Sequence, residues 1–344
     1  MKKCHLHHRE RSSRIWRIRI CLIFLGWMLI PAPNILHAQD TLWTRIYGGV
    51  GFGEYCEEVQ QTSDGGFVFA GQNGFQGGIF PWLVKTDDTG DIVWSEVYYD
   101  ATTNTAFFSV QQTSDGGYIA GGISRANWSQ SRIDYYLVRT DGSGNTLWSN
   151  TYSTPDYGFD YGKSVRQTSD GGFIFGGNTA PGPNPYEFFL VRTESSGDAM
   201  WTRTYGDGGS GNERANCVIQ TSDGAFVMAG YTDSYGSGGW DFYVVKVDGS
   251  GDTLWTRTYG GYDDERAYTV DLASGGGYIV GGHTSTFAVG DYDVWLLRIA
   301  EGTIPEPVPT LSQWGMIIMA LVLLAFGTAL IVRKRRSFAE GRVG

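Results

Sequence analysis

Histidine, cysteine and positive charge are scarce in this chain, and each scarcity excludes something. Of five histidines, four (His5, His7, His8, His37) fall in the first 38 residues, so His283 stands alone beyond them. A His/Cys zinc site and a conventional histidine acid–base pair are therefore poorly supplied. The four cysteines divide similarly, Cys4 and Cys21 near the start and Cys56 and Cys217 beyond, too few for a disulfide scaffold. Residues 39 to 303 hold 14 Lys/Arg against 33 Asp/Glu. A surface that acidic repels phosphate backbones, which argues against nucleic acid as a partner. Long apolar runs are confined to the two ends, which excludes a polytopic membrane protein. What is abundant is glycine, at 50 residues, with 15% aromatics, a balance that suits all-β architecture with many tight turns.

The ends state where the chain is expected to go. Residues 1 to 38 run from a basic stretch (Lys2 to Arg19) through an apolar core (Ile20 to Ile30) to Leu36-His37-Ala38, the order of a secretory signal with small-residue cleavage. A retained anchor is the alternative. Residues 314 to 332 carry no charge, and their 19 residues reach about 28 Å as a helix, one bilayer core. Arg333-Lys334-Arg335-Arg336 follows, which keeps the C-terminus cytoplasmic and the body outside. Ahead of the span lies Val308-Pro309-Thr310-Leu311-Ser312-Gln313-Trp314-Gly315. Motif, span and basic stop in that order resemble the IPTL-CTERM sorting signal, a relative of the PEP-CTERM signals of Gram-negative bacteria, with Val308 where that family has Ile. The resemblance implies export, a single-pass stage in the inner membrane, and an exosortase-like protease that releases or re-attaches the body at the surface. A plain single-pass anchor would need the same span and stop.

Between the ends, one unit recurs five times. Tryptophan returns at Trp43, Trp94, Trp148, Trp201 and Trp255, and Gln-Thr-Ser-Asp-Gly begins at Gln61, Gln112, Gln167 and Gln220, with Leu272-Ala273-Ser274-Gly275-Gly276 as a worn fifth copy. Each unit reads as four short strands. The Asp-Gly dipeptide turns the first into the second, and a loop of varying length leads to the third, as in Asp134–Arg139. A turn rich in Asp, Ser and Gly then opens the fourth, Thr146–Tyr152. Four strands in about 53 residues is the arithmetic of a β-propeller blade. The last unit stops after its third strand while the chain begins with an orphan fourth, Thr41–Tyr47. The expectation is a five-bladed propeller over residues 39–303 closed by that N-terminal strand, then a linker and sorting motif (304–313), a transmembrane helix (314–332) and a basic tail (333–344). An open arc is the rival. The repeats resemble tandem propeller-like repeats of secreted bacterial surface proteins, which implies fold and not activity.

Candidate chemistry is thin. Glu54, Asp160, Glu213 and Glu265 sit five residues before the repeat valine of the first strand, with Thr105 in the second unit. At the mouth of a channel such carboxylates would bind Ca²⁺, orient a sugar, or act as the acid and base of a glycosidase. The bland expectation is that each accepts hydrogen bonds within its own loop, because a catalytic pair should break the repeat symmetry. Asp141-Gly142-Ser143-Gly144-Asn145 and its relatives read as hairpin turns, lacking the spaced ligands of a calcium loop. Cys56 and Cys217 read as two small buried thiols, and His283 as a solvated loop residue. Aromatics crowd the variable loops, among them Trp128, Tyr161, Tyr235 and Trp240. Rings on a regular scaffold suit a carbohydrate or protein ligand. The leading expectation is thus an exported, non-enzymatic binding or adhesion module that needs no cofactor. A polysaccharide hydrolase using the four carboxylates, and a purely structural envelope protein, are the rivals.

Overall fold

The computed structural model describes residues 41–48, 52–75, 78–98, 105–125, 132–154, 158–181, 185–209 and 211–301. The expected signal peptide, linker, sorting motif, membrane span and tail lie outside these, as does Trp128. Among the described residues no helix is long and apolar enough to cross a membrane. Contacts divide the chain into a short unit ending at Arg45 and the repeat body from Ile46 onward.

The body is all-β. Blade one holds β1 (Phe52–Gln61), β2 (Phe67–Phe75), β3 (Gly78–Thr86) and β4 (Ile92–Val97); blade two holds β5 (Ala106–Gln112), β6 (Tyr118–Ser124), β7 (Asp134–Thr140) and β8 (Thr146–Tyr152). Blade three is β9 (Gly158–Gln167), β10 (Phe173–Pro181), β11 (Glu187–Thr193) and β12 (Ala199–Tyr205), and blade four β13 (Glu213–Gln220), β14 (Phe226–Thr232), β15 (Asp241–Val247) and β16 (Thr253–Tyr259). Blade five has β17 (Glu265–Leu272), β18 (Tyr278–Thr284) and β19 (Asp293–Ile299). Each blade is an antiparallel sheet in chain order, four strands wide in the first four and three in the fifth. First strands of successive blades lie side by side, the innermost place in a propeller-type array.

The repeated letters account for how blades form and join. Gly65, Gly116, Gly171 and Gly224 take φ between 82° and 88°, the left-handed conformation that an Asp-Gly hairpin requires. The preceding aspartate pairs with a buried cation of the third strand: Asp64 with Lys85, Asp115 with Arg139, Asp170 with Arg192, Asp223 with Lys246. The worn copy has Gly275 there, and Arg298 caps the carbonyls of Ser274 and Gly276 instead. Gln112, Gln167 and Gln220 each accept from the serine amide of the previous blade's turn (Ser63, Ser114, Ser169) at 2.8 Å. Indole N–H groups of Trp94, Trp148 and Trp201 donate to turn carbonyls of the next blade at 3.0–3.1 Å. Apolar side chains fill the same seams. Leu83, Leu137, Leu190 and Val244 look forward onto Val110, Val165, Val218 and Val270 of the following blade.

Two expectations are corrected. Residues 41–48 form no strand and the fifth sheet stops at β19, so closure by an N-terminal strand is not found. Tyr47 is instead committed to blade one, its hydroxyl donating to the Gly90 carbonyl at 2.8 Å and its ring against Phe69, as Tyr98, Tyr152 and Tyr205 do one blade later each. Cys56 and Cys217 are both free, but Cys56 is exposed, because no earlier blade covers this face of blade one. Loss of the turn aspartate offers a test of the inner ion pairs. Asp170→Ala strands the buried Arg192 and should cost about 2–3 kcal/mol, lowering the unfolding midpoint by about 5–10 °C in a calorimetric scan; an unchanged midpoint contradicts this role.

Candidate functional site

The four predicted carboxylates stand at equivalent places in the first strands, one each in blades one, three, four and five. Asp160, Glu213 and Glu265 are fully buried, and each is held by donors of the strands and loops around it. Asp160 accepts from the Thr154 amide at 3.1 Å and its hydroxyl at 3.4 Å. Glu213 accepts from the hydroxyls of Thr232, at 2.9 Å, and Ser234. Glu265 takes three donors, the Thr284 hydroxyl at 2.6 Å and the amides of Gly261 and Thr286 at 2.7 and 3.1 Å. Glu54 is half-buried beside Gly48. Among the described residues no three His, Cys, Asp or Glu side chains group closely enough to hold a metal ion. The Asp-rich hairpins are Asx turns, with Asp141 accepting from the amides of Ser143 and Asn145 at 2.8 and 2.9 Å.

A second row of acids, which sequence reasoning missed, faces the first across the blade seams. A methyl placed on Gly260 would fall 1.7 Å from Asp241 Oδ1 and 2.6 Å from Glu265 Oε2, and one on Gly206 would fall 2.6 Å from Glu213 Oε2 and 2.9 Å from Glu187 Cγ. Only glycine fits between two carboxylates of adjacent blades, which explains Tyr-Gly after the fourth strand of blades three and four. Burial, with Asp134 adding repulsion, pushes Asp160 up to about 6 despite its hydrogen bonds. Burial also raises Glu213, and Asp241 beside Glu265. In Glu265 the same burial is outweighed by its donors, so its carboxyl is lowered.

Beyond the acids, the loop end carries rings and cations. A bulge inserts one extra residue into every first strand, at Glu57, Phe108, Lys163, Asn216 and Tyr268. Lys163 lies 4.2 Å over Phe108, Arg214 4.2 Å over Tyr186, and Arg266 5.4 and 5.5 Å from Tyr231 and Trp240. Of the predicted ring residues, Tyr161 is half-buried beside Tyr186, Trp240 meets Tyr231 edge-on, and Tyr235 stacks on Tyr243 with its edge exposed. Exposed rings are Tyr55 of blade one (61%) and a group around blades four and five: Tyr262 (82%), Phe287 (58%), Tyr292 and Tyr268. His283 lies within β18 rather than in a loop, and its ring sits between Tyr268 and Tyr292 at 5.4 and 4.6 Å.

A cavity of about 530 Å³ opens at the opposite end, among the Asp-Gly turns, lined by Gln111, Arg166, Gln167, Ile219, Gln220 and Leu272. Arg166 crosses from blade three to Glu58 of blade one at 3.1 Å. The signal for this place was available: in the first four copies the residue after the repeat valine is Gln60, Gln111, Arg166 and Ile219, the one varying letter in an otherwise fixed phrase, and in the worn fifth it is Asp271.

Comparison with known proteins adds two findings. Residues 306–336 match the IPTL-CTERM motif. The chain carries an IPTL-CTERM sorting signal. That signal points to export, surface sorting and processing by a sorting machinery. No curated protein matches the sequence. Among solved structures, a protein of unknown function from Dyadobacter fermentans DSM 18053 is 12% identical with a TM-score of 0.50, covering 74% of this chain and 81% of that one. An endo-arabinase from Bacteroides thetaiotaomicron VPI-5482 is 9% identical (TM-score 0.42; 72% and 94% covered). A GH43 β-xylosidase/α-arabinofuranosidase from a compost metagenome is 11% identical (TM-score 0.37; 73% and 93%). At such identities the likeness is one of fold. It corrects the expectation of a non-enzymatic body all the same: hydrolases stand among the folds this chain resembles, and the assignment "not an enzyme" is withdrawn.

The buried acids give a pH test. With a folded value near 6, above the ordinary 3.8, Asp160 binds its proton more tightly in the folded state. Its contribution is therefore full below about pH 4 and lost as pH rises through 6, on the order of 2–3 kcal/mol. Asp64 and Asp223, held at about 2 by Lys85 and by Thr221 and Lys246, change only below about pH 4. The unfolding midpoint should be higher at pH 5 than at pH 7.5, and Asp160→Asn should reduce the difference; a pH-independent wild type contradicts the assignment.

Proposed function

We propose that the protein is exported, passes through a single-pass stage in the inner membrane, and is sorted to the cell surface, where the loop end of blades four and five binds carbohydrate. The observation that carries this reading is the set of exposed rings on pinned loops. Tyr262 stands on a backbone whose carbonyl accepts from the Gly239 amide at 3.1 Å, and the Phe287 amide donates to Thr284 Oγ1 at 3.1 Å with its ring beside Trp295. Rings already held in place offer apolar area to a sugar face at little entropic cost. Arg266, Trp240 and Tyr235 continue the surface, and the Asp and Ser side chains of the same loops supply polar partners. Tyr161 of blade three extends the proposed surface, with Glu213 and Glu265 bracing the loops that bear it and Glu54 and Asp160 holding the equivalent places in blades one and three.

Detergent-solubilised full-length protein passed over immobilised polysaccharides, with and without Ca²⁺ and with the supernatant assayed for released sugar, tests this. Retention is expected, and Tyr262→Ala/Phe287→Ala should weaken it about tenfold or more. Retention that survives the double substitution, or none on any polymer, overturns the reading. Released sugar would show that the bound polymer is also cut.

A further inference from the structure

Every seam in the body joins a forward face to a backward face, and one copy has one of each left over. The backward face is bare at blade one: Val59 is 60% exposed where Val110, Val165, Val218 and Val270 are at most 2%. The forward face is bare at blade five: Leu296 is 67% exposed and Val294 83%, where Leu83, Leu137, Leu190 and Val244, and Tyr135, Phe188 and Phe242, are fully buried. Among the described residues, blades one and five share no hydrophobic cluster.

We infer that these two faces are the halves of a fifth seam, and that its occupant is a second copy of this chain, blade five of one against blade one of the next. The interface is continuous with four that exist within each copy. Gly281 and Val59 would meet as Gly176 meets Val218, where a methyl on the glycine lies 3.2 Å from the valine Cβ. Asp293 would meet Glu54 as Asp241 meets Glu265. The position that the end of the preceding blade's fourth strand should hold on blade one is already taken by Tyr47, at the spacing from Trp43 that Tyr98 has from Trp94. The run ending at Tyr47 thereby supplies the strand that β19 lacks, and the unpaired edge of β19 receives it. Because the two halves differ, association is head-to-tail, and each copy added leaves the same faces at its ends. This inference is independent of what the loop end binds.

Cross-linking tests it in full-length protein carrying Cys56→Ser and Cys217→Ser. Mixing a Val59→Cys variant with a Gly281→Cys variant should give a disulfide-linked dimer of the two, since a seam like that between Gly176 and Val218 brings the Cβ atoms near the separation a disulfide takes, about 3.5–4.5 Å. Gly176→Cys/Val218→Cys in one chain should close internally and serves as control. Wild-type protein followed by light scattering should grow in mass with concentration. A Val59→Cys/Gly281→Cys chain that closes only on itself, with no dimer from the mixture, overturns the inference in favour of a ring within one copy. A wild type that stays monomeric at every concentration overturns it as well.

Discussion

A four-stranded sheet has two faces, and in this chain both are apolar, so no blade is stable alone. Covering each face with a neighbour is the constraint from which the rest of the structure follows. It makes the array repeat, it makes the seam valines and leucines recur, and it leaves a face unmet at each end. The polar letters serve the same end. Glutamine, serine and tryptophan side chains or amides are matched across blades, so that the groups which must be buried at a seam are also hydrogen-bonded there.

The division of labour between the two ends of the blades comes from that matching. At the turn end, Gln-Thr-Ser-Asp-Gly is occupied in binding the next blade and the inner cation, which leaves little freedom to vary. The loop end is braced from below by buried acids, each tied to the loops around it, and its outer residues are free to differ. Function is therefore expected where repetition fails: the rings of blades four and five at one end, and the varying residue after the repeat valine at the other.

Much of this was legible in the sequence, because hairpins and strands are local. Thr146–Tyr152 was readable from its alternation and its turn, and it is β8. The bland reading of the acids, each bonded by its own loop, fits Asp160 and Thr154, whereas Glu213 takes its donors from the end of β14 and the loop beyond. What could not be read depends on neighbours. Asp241 and Glu187 are far from Glu265 and Glu213 in the chain, and nothing local marks them as their companions. Cys56 looks like its buried counterparts Ala215 and Ala267 and is exposed only for want of a preceding blade. Closure by the first strand was an argument from counting, and counting does not say which copy provides a strand. The exclusion of an enzyme rested on absent motifs, and the absence of a familiar motif does not exclude an activity.

Hydrogen exchange at four equivalent amides tests the central claim, that bonds between blades hold the array, most directly. Ser63, Ser114 and Ser169 donate to a glutamine of the following blade, whereas for Ser222 the equivalent position of the following blade is Leu272, whose side chain has no acceptor. The account predicts slow exchange at the first three and fast exchange at Ser222. Equal exchange at all four would mean that the turns protect themselves, and that the seams are not what holds the blades together.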